Sequence, residues 1–396
     1  MEWAMAIADN ASGLAGQSRV ALLIAGGGIM GLWAALKADR LGIDTLILDE
    51  GALASGASGG LLGALMPHMP DKWSDKKQYQ FDSLLMLEDE VRALEAETEL
   101  SAGYRRCGRL IPLPKPHLRT IAERHEREAL VNWRAGGRSF LWETLDTSPF
   151  GPAWPVASSC GAGLVRDTFA ARISPRGLTG MLVARLRRSR HVRIVEGRGV
   201  ESIEGRTARL VDGGSIAFGH CIVAAGYKSF PLLEALGPAL PCPLGQPVKG
   251  QAALLKADID ADLPLLYLDG LYVVPHEDGF TAIGSTSEGQ FAEPFSTDQQ
   301  VEDLVERARA LAPALRSAEV VERWAGLRPK AIDRDPMVGP HPDNSRVIAL
   351  TGGFKVSFGM AHRLADEALA AVEGRSIAMP EGFHLRSHID VATRKA

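Results

Sequence analysis

Cysteine is scarce: four in 396 residues, at Cys107, Cys160, Cys221 and Cys242, with no C-x-x-C pair among them. That spacing speaks against a disulfide framework or a thiolate zinc site and fits a reducing cytoplasm. No apolar run approaches the ~20 residues needed to span a bilayer, so a soluble protein is expected. Basic residues are not in excess either. Lys plus Arg 44 against Asp plus Glu 48 gives a net charge of −4, which argues against DNA as a partner, since phosphate binding leaves a basic footprint. One basic run, Arg185–Arg193, closes a helical pattern where cations are favoured, and reads as a solvated helix end. The start of the chain carries Glu2 and Asp9 and lacks a basic segment leading into an apolar one. Residues 1–17 are therefore expected to be a mobile extension and not a signal peptide. Internal repeats and low-complexity segments are absent. The histidines nearest to motifs, His68, His276, His341 and His362, lack metal-ligand spacing, so no metal site is expected.

What is present is concentrated in Val20–Glu50. The apolar run Val20–Ala25 has the length of a buried parallel strand. Gly26, Gly28 and Gly31 follow at G-x-G-x-x-G spacing, a helix opens near Ile29 and Met30, and Thr45–Leu48 makes a second strand closed by Asp49 and Glu50. The first glycine allows a sharp turn and the second lets a pyrophosphate approach the backbone. The third lets the helix pack on the sheet, with its N-terminal N–H groups facing the phosphates. Asp49 is positioned to accept from a ribose hydroxyl, with Glu50 the neighbour to exclude. Just beyond lies a small-residue loop, Ser55–Pro70, in which Ser55, Ala57, Ser58 and Gly60 leave room for a flat ring or phosphate. Leu61, Leu62 and Gly63 continue it into a short apolar turn.

Further strands recur far along the chain: Val192–Val195, Val200–Ile203, Ala208–Val211, Cys221–Ala225 and Arg346–Leu350, with a helix over about 359–372. These are expected to extend the first sheet. Between them, Gln80–Glu99 reads as an amphipathic helix, and Leu271–Pro275 with Phe280–Ser285 as a hairpin around Asp278-Gly279. Gln251–Leu255 and Val320–Leu327 are strand candidates. The expected fold is α/β, a Rossmann-like dinucleotide domain over 18–84, 161–228 and 333–396. An interleaved α+β substrate domain on a mainly antiparallel sheet is expected over 85–160 and 229–332.

The order of motifs resembles the D-amino acid oxidase family of FAD enzymes over nearly the whole chain, and within it the glycine oxidases. The resemblance rests on Gly26–Gly31, Ser55–Leu65, CIVAAG at Cys221–Gly226, LYVVP at Leu271–Pro275, WAGLRP at Trp324–Pro329, P-M-V-G at Pro336–Gly339 and TGGFK at Thr351–Lys355. It implies FAD, held noncovalently because no cysteine matches an attachment site, and FAD contacts from Val200 and from Ala224, Ala225 and Gly226. It further implies that Arg328 grips the substrate carboxylate and that Tyr272 faces the substrate, with Tyr267 the second candidate. The G-F-K sequence departs from the glycine oxidase pattern and resembles the sarcosine oxidase branch, where the lysine, here Lys355, helps bind a carboxylate. Gly353, Phe354, Val356, Ser357 and Phe358 then lead into a helix whose N-terminus faces the flavin in that family.

The implied activity is FAD-dependent oxidation of the C–N bond of a small amino acid or N-substituted amino acid, with O₂ or an electron carrier as acceptor. A homo-oligomer or a partner subunit is compatible with it. Two alternatives stay open at this point: a flavin oxidase acting on carboxymethylaminomethyl-modified tRNA, and the flavin subunit of a hetero-oligomeric amino-acid or opine dehydrogenase.

Overall fold

The computed structural model describes residues 19–394, so the expected extension over 1–17 lies outside the described residues. The chain forms two units. The first contains the described residues up to Ser58, then Thr179–Pro247, then Arg328 onward; the second contains Gly59–Leu178 and Val248–Leu327.

In the first unit the strand Arg19–Ala25 lies between two parallel neighbours, Thr45–Leu48 and Ser215–Val223, and Val192–Val195 adds a further parallel strand beyond Thr45–Leu48. The far edge of Ser215–Val223 is shared. Its first half pairs antiparallel with Thr207–Leu210, and its last three residues pair parallel with Asn344–Thr351. The run predicted as Cys221–Ala225 is thus the buried end of a longer strand whose earlier residues alternate, with Ile216 and Phe218 buried. Helix Ile29–Arg40 is buried along its length from Ile29 to Ala38. Its cover within this unit is the helix Ser357–Val372, joined to it by the Lys37–Asp366 ion pair at 3.0 Å and a Trp33–His362 ring contact at 5.7 Å.

Two glycines fix how closely this unit closes. Gly26 has φ +108°, and a Cβ there would lie 2.4 Å from the Ala224 carbonyl oxygen. A Cβ on Gly31 would lie 1.9 Å from the Gly26 carbonyl oxygen. Both clashes are with backbone, which has no rotamer to escape into.

The second unit is built on an eight-stranded sheet. Leu265–Leu268 runs parallel to Arg109–Pro112, while its hairpin partner Leu271–Pro275 and the next strand Phe280–Gly284 are antiparallel. Helix Gln299–Leu311 buries Val301, Leu304, Val305, Ala308 and Leu311 in one core with Val273 and Ile283. The Arg109–Asp167 pair, 2.6 Å apart and almost wholly buried, joins two neighbouring strands. Asp167 also accepts from the Phe169 and Ala170 N–H groups, so the buried carboxylate is well supplied with donors.

The boundaries differ from those read in the sequence. Residues 59–84 and 161–178 belong to the second unit, and 229–247 and 328–332 to the first. Packing explains this. Helix Asp75–Thr98 sets Phe81 against Phe140 and Phe169, and Leu164–Asp167 pairs with two strands of the second sheet. Phe230, Leu232, Leu233 and Leu244 join the core of the first.

Gly31→Ala is expected to destabilise the protein by about 1–3 kcal/mol or more, the usual cost of overpacking, measured by the urea midpoint. Gly180→Ala, in helix Pro175–Leu186 with open space around the added methyl, is expected to be neutral or stabilising by up to ~1 kcal/mol. Equal effects at the two positions would refute the close-approach argument.

Candidate active site

Three backbone segments gather at the C-terminal ends of adjacent parallel strands in the first unit: Gly26–Gly28, Ala224–Gly226 and Thr351–Gly353. In an open α/β sheet this is where ligands bind. Ala224 N–H donates to the Ala25 carbonyl at 2.8 Å, and the Thr351 hydroxyl donates to the Gly226 carbonyl at 2.8 Å. Val200 is half-buried against the core of the same unit.

Helix Ile29–Arg40 has no acidic residue in its first turn, while Lys37 and Arg40 lie in its last. Its positive N-terminal end is therefore not neutralised by an acid of its own, a suitable end for a pyrophosphate. Gly28 precedes it, and a Cβ there would meet only the Ser58 hydroxyl, at 3.2 Å. That hydroxyl accepts from the Ile29 N–H at 2.9 Å, so Ser58 ties the small-residue loop to the helix start. Ser55 and Ala57 belong to this unit with it; Gly60, Leu61, Leu62 and Gly63 belong to the second.

Asp49 ends its strand as expected. One carboxylate oxygen accepts from the Gly27 N–H at 2.7 Å and the other from the Gly51 N–H at 2.9 Å. Each oxygen keeps a second lone pair for a ribose hydroxyl. Burial raises its pKa above the ordinary aspartate value, and the two N–H donors oppose the rise. Glu50 is turned to Lys228, 2.5 Å away. These features fit an FAD pyrophosphate and ribose: glycines where backbone must come close, an uncancelled helix end, and an acid held by its strand.

The turn Gly352–Val356 brings a second group of residues together. Gly352 and Phe354 have φ of +74° and +41°. A Cβ on Gly353 would lie 2.4 Å from the Met30 methyl and 2.5 Å from the Ser357 hydroxyl, so glycine here lets two helix starts approach. Helix Ser357–Val372 begins after Val356 without a side-chain cap, and Ser357 and Phe358 form its first turn.

The same turn pairs with the end of strand Glu319–Ala331. Lys330 and Gly353 form an antiparallel bridge, and the Phe354 N–H donates to the Pro329 carbonyl at 3.2 Å. Lys355 follows in the turn, near enough to Arg328 to feel its charge. Arg328 is half-buried, while Lys355 keeps solvent contact along its side chain. Crowding around the Lys355 amine and, after it, the Arg328 charge hold the lysine pKa below its ordinary value.

Tyr272 lies in the second unit, on Leu271–Pro275. It stands opposite Tyr267 in the hairpin, with ring centroids 4.9 Å apart, and opposite Gly284 on its other side. It packs with a cluster that includes Leu61, Leu62, Met66, Leu254 and Trp324. His276, four residues on, is held neutral: burial and then Arg172 lower its pKa to about 4, and its ring nitrogen meets the Leu62 carbonyl at 3.1 Å.

Some participants were not singled out from sequence. Gly27 holds Asp49 through a backbone N–H, a role with no side-chain signature. Thr351 ties two strand tips together. Trp324 folds its ring over Gly326, where a Cβ would meet the indole at 2.4 Å, so the glycine of WAGLRP seats the tryptophan.

Among the described residues no helix is long and apolar enough to cross a membrane, and no cluster of His, Cys, Asp and Glu is placed to hold a metal. The FAD dependent oxidoreductase family model matches residues 21–367. Glycine oxidase of Bacillus licheniformis is 25% identical over 355 residues, covering 86% of this chain and 89% of that one. The glycine oxidase structure from Geobacillus kaustophilus superposes with TM-score 0.82 at 22% identity, covering 93% of this chain and 99% of that one. The iminodiacetate oxidase structure from Chelativorans sp. BNC1 superposes with TM-score 0.77 at 22% identity, over 92% and 98%. The chain belongs to the D-amino acid oxidase (DAO) family of FAD-dependent oxidoreductases.

Proposed function

We propose that the chain oxidises the C–N bond of a small amino acid or N-substituted amino acid, using Arg328 and Lys355 to hold its carboxylate. The observation that carries this reading is the cationic pair at the turn where strand Glu319–Ala331 meets the start of helix Ser357–Val372. Like charges held close repel, and an anion between them removes the cost.

When bound, FAD supplies a two-electron acceptor for the hydride that leaves the carbon beside the nitrogen. The protein's own part is positioning. The Arg328 guanidinium offers a planar fork for a carboxylate and does not titrate near neutral pH, while Lys355 adds a point charge with rotatable donors. Fixing the carboxylate fixes the carbon one bond away, which is the orientational advantage the site provides. The family resemblance gives Tyr272 a hydroxyl contact with the substrate. The relatives named above, a glycine oxidase and an iminodiacetate oxidase, act on this kind of compound, a primary or secondary amine with an adjacent carboxylate.

Anaerobic addition of glycine, sarcosine, D-amino acids, D-proline and N-substituted amino acids to the yellow protein should bleach the flavin band with at least one of them. Readmitting air then separates an oxidase from a dehydrogenase. Failure of the whole panel would overturn the proposal.

Arg328→Ala should retain FAD and lose roughly 2–5 kcal/mol of substrate capture, the range for removing one partner of a buried charged pair. Unchanged kcat/KM would refute the clamp. Acetate, which has a carboxylate and no amine, isolates the effect of pH. Lys355 is cationic below its pKa, and that pKa is lowered, so acetate affinity should fall with rising pH before the ordinary lysine range is reached. Lys355→Arg should abolish that alkaline fall, as read by displacement of the flavin spectrum.

A further inference from the structure

The first unit carries an ion pair, Glu50–Lys228, that neither the glycine turn nor the proposed oxidation requires. We propose that these two residues form a clasp across the nucleotide groove, at its adenosine end, and that the clasp governs how fast FAD is released.

Topology puts the pair where a clasp has to be. Strand Arg19–Ala25 lies between Thr45–Leu48 and Ser215–Val223, and the glycine turn leaves its end. Glu50 stands just beyond the strand on one side. Lys228 stands in the 3₁₀ turn Gly226–Lys228, beyond the strand on the other. Strands that flank a third are about 10 Å apart, twice the usual spacing. The two side chains bridge that interval, with the Lys228 Nζ 2.5 Å from the Glu50 carboxylate, and so span the end of the glycine turn. A pyrophosphate at Gly26–Gly28 with its ribose on Asp49 would follow the same interval.

Both ends of the pair are held. A Cβ on Gly199 would lie 2.9 Å from the Glu50 Cβ and 3.4 Å from its Oε2, so the glycine before Val200 gives Glu50 its place. The other oxygen, Oε1, accepts from Lys228. Backbone on each side of Glu50 is fixed, since the Arg198 N–H donates to the Asp49 carbonyl at 2.8 Å and the Gly197 N–H to the Gly51 carbonyl at 3.2 Å. The Lys228 N–H donates to the Ala225 carbonyl at 3.2 Å. Its hydrogen bond to Glu50 is the main cause that raises the Lys228 pKa; partial burial opposes the rise, and the Asp49 charge adds to it. The ammonium therefore stands in the field of the candidate ribose partner as well.

Charge gives the pair a reason to be here. A second carboxylate next to Asp49 would repel a pyrophosphate, and Lys228 neutralises it. About half of each side chain is exposed, so the pair adds little to folding and can open without disturbing the core. Opening it frees the end of the groove.

The test uses the FAD-loaded protein, diluted far below its dissociation constant, with flavin that passes a filter followed against time. The double variant Glu50→Gln with Lys228→Met keeps the net charge and removes the clasp. It should release FAD about two- to fivefold faster, the scale of one exposed ion pair. Glu50→Gln alone should also release it faster, and the gap between either variant and the unaltered protein should narrow in high salt, which screens the pair. An unchanged rate in the double variant would overturn the proposal. So would slower release from Glu50→Gln, since Lys228 would then be a phosphate ligand that Glu50 restrains.

Discussion

The first unit depends on a backbone-to-backbone approach that only glycine permits. Gly26 sits against the Ala224 carbonyl, and Gly31 sits against the Gly26 carbonyl. These contacts set the first helix down on the sheet and place strand tip, turn and helix start within reach of one ligand. The loop beyond is tied to the same point: Ser58 meets the Ile29 N–H, Asp49 meets the Gly27 N–H, and Gly353 admits the Met30 side chain. This packing suits a nucleotide, because the groups that bind phosphate are those left over when backbone hydrogen bonding at a helix start is incomplete.

Much of that arrangement was legible in the sequence where the signal is local. Thr45–Leu48 and Val192–Val195 have the predicted bounds because a short, continuously apolar run between polar residues is what a parallel strand requires. Ser215–Val223 was read only in part. Its buried end is apolar without interruption, while its first half pairs with Thr207–Leu210 and alternates, so two patterns meet inside one strand. The unit boundaries were less legible still. Whether a helix such as Asp75–Thr98 joins one core or the other depends on partners distant in sequence, here Phe140 and Phe169.

The site divides along the same line. Glycine spacing pointed to the candidate nucleotide half, although only Gly31 answers to a near neighbour in sequence, Gly26, while Gly26 itself answers to Ala224 far along the chain. The candidate anion-binding residues did not announce their geometry. Arg328 and Lys355 each carried a motif-level meaning, but that one feels the charge of the other depends on the turn that follows the bridge between Lys330 and Gly353 and on the positive φ of Phe354. Neither is visible as periodicity. The resemblance to known flavoenzymes named the residues, and the turn brought Lys355 within reach of the Arg328 charge.

The kinds of cation at these positions are not interchangeable. A second arginine in place of Lys355 would offer two forks, each demanding a carboxylate in its own plane. A lysine imposes no plane. Its three donors rotate about a flexible stem, so it meets an anion as a point charge. Its pKa is lowered first by burial and then by the Arg328 charge, and an anion beside the two cations would oppose the second of these effects. If both cations meet an anion as proposed, the difference between them is physical: a guanidinium fixes the plane of its partner, and an ammonium does not.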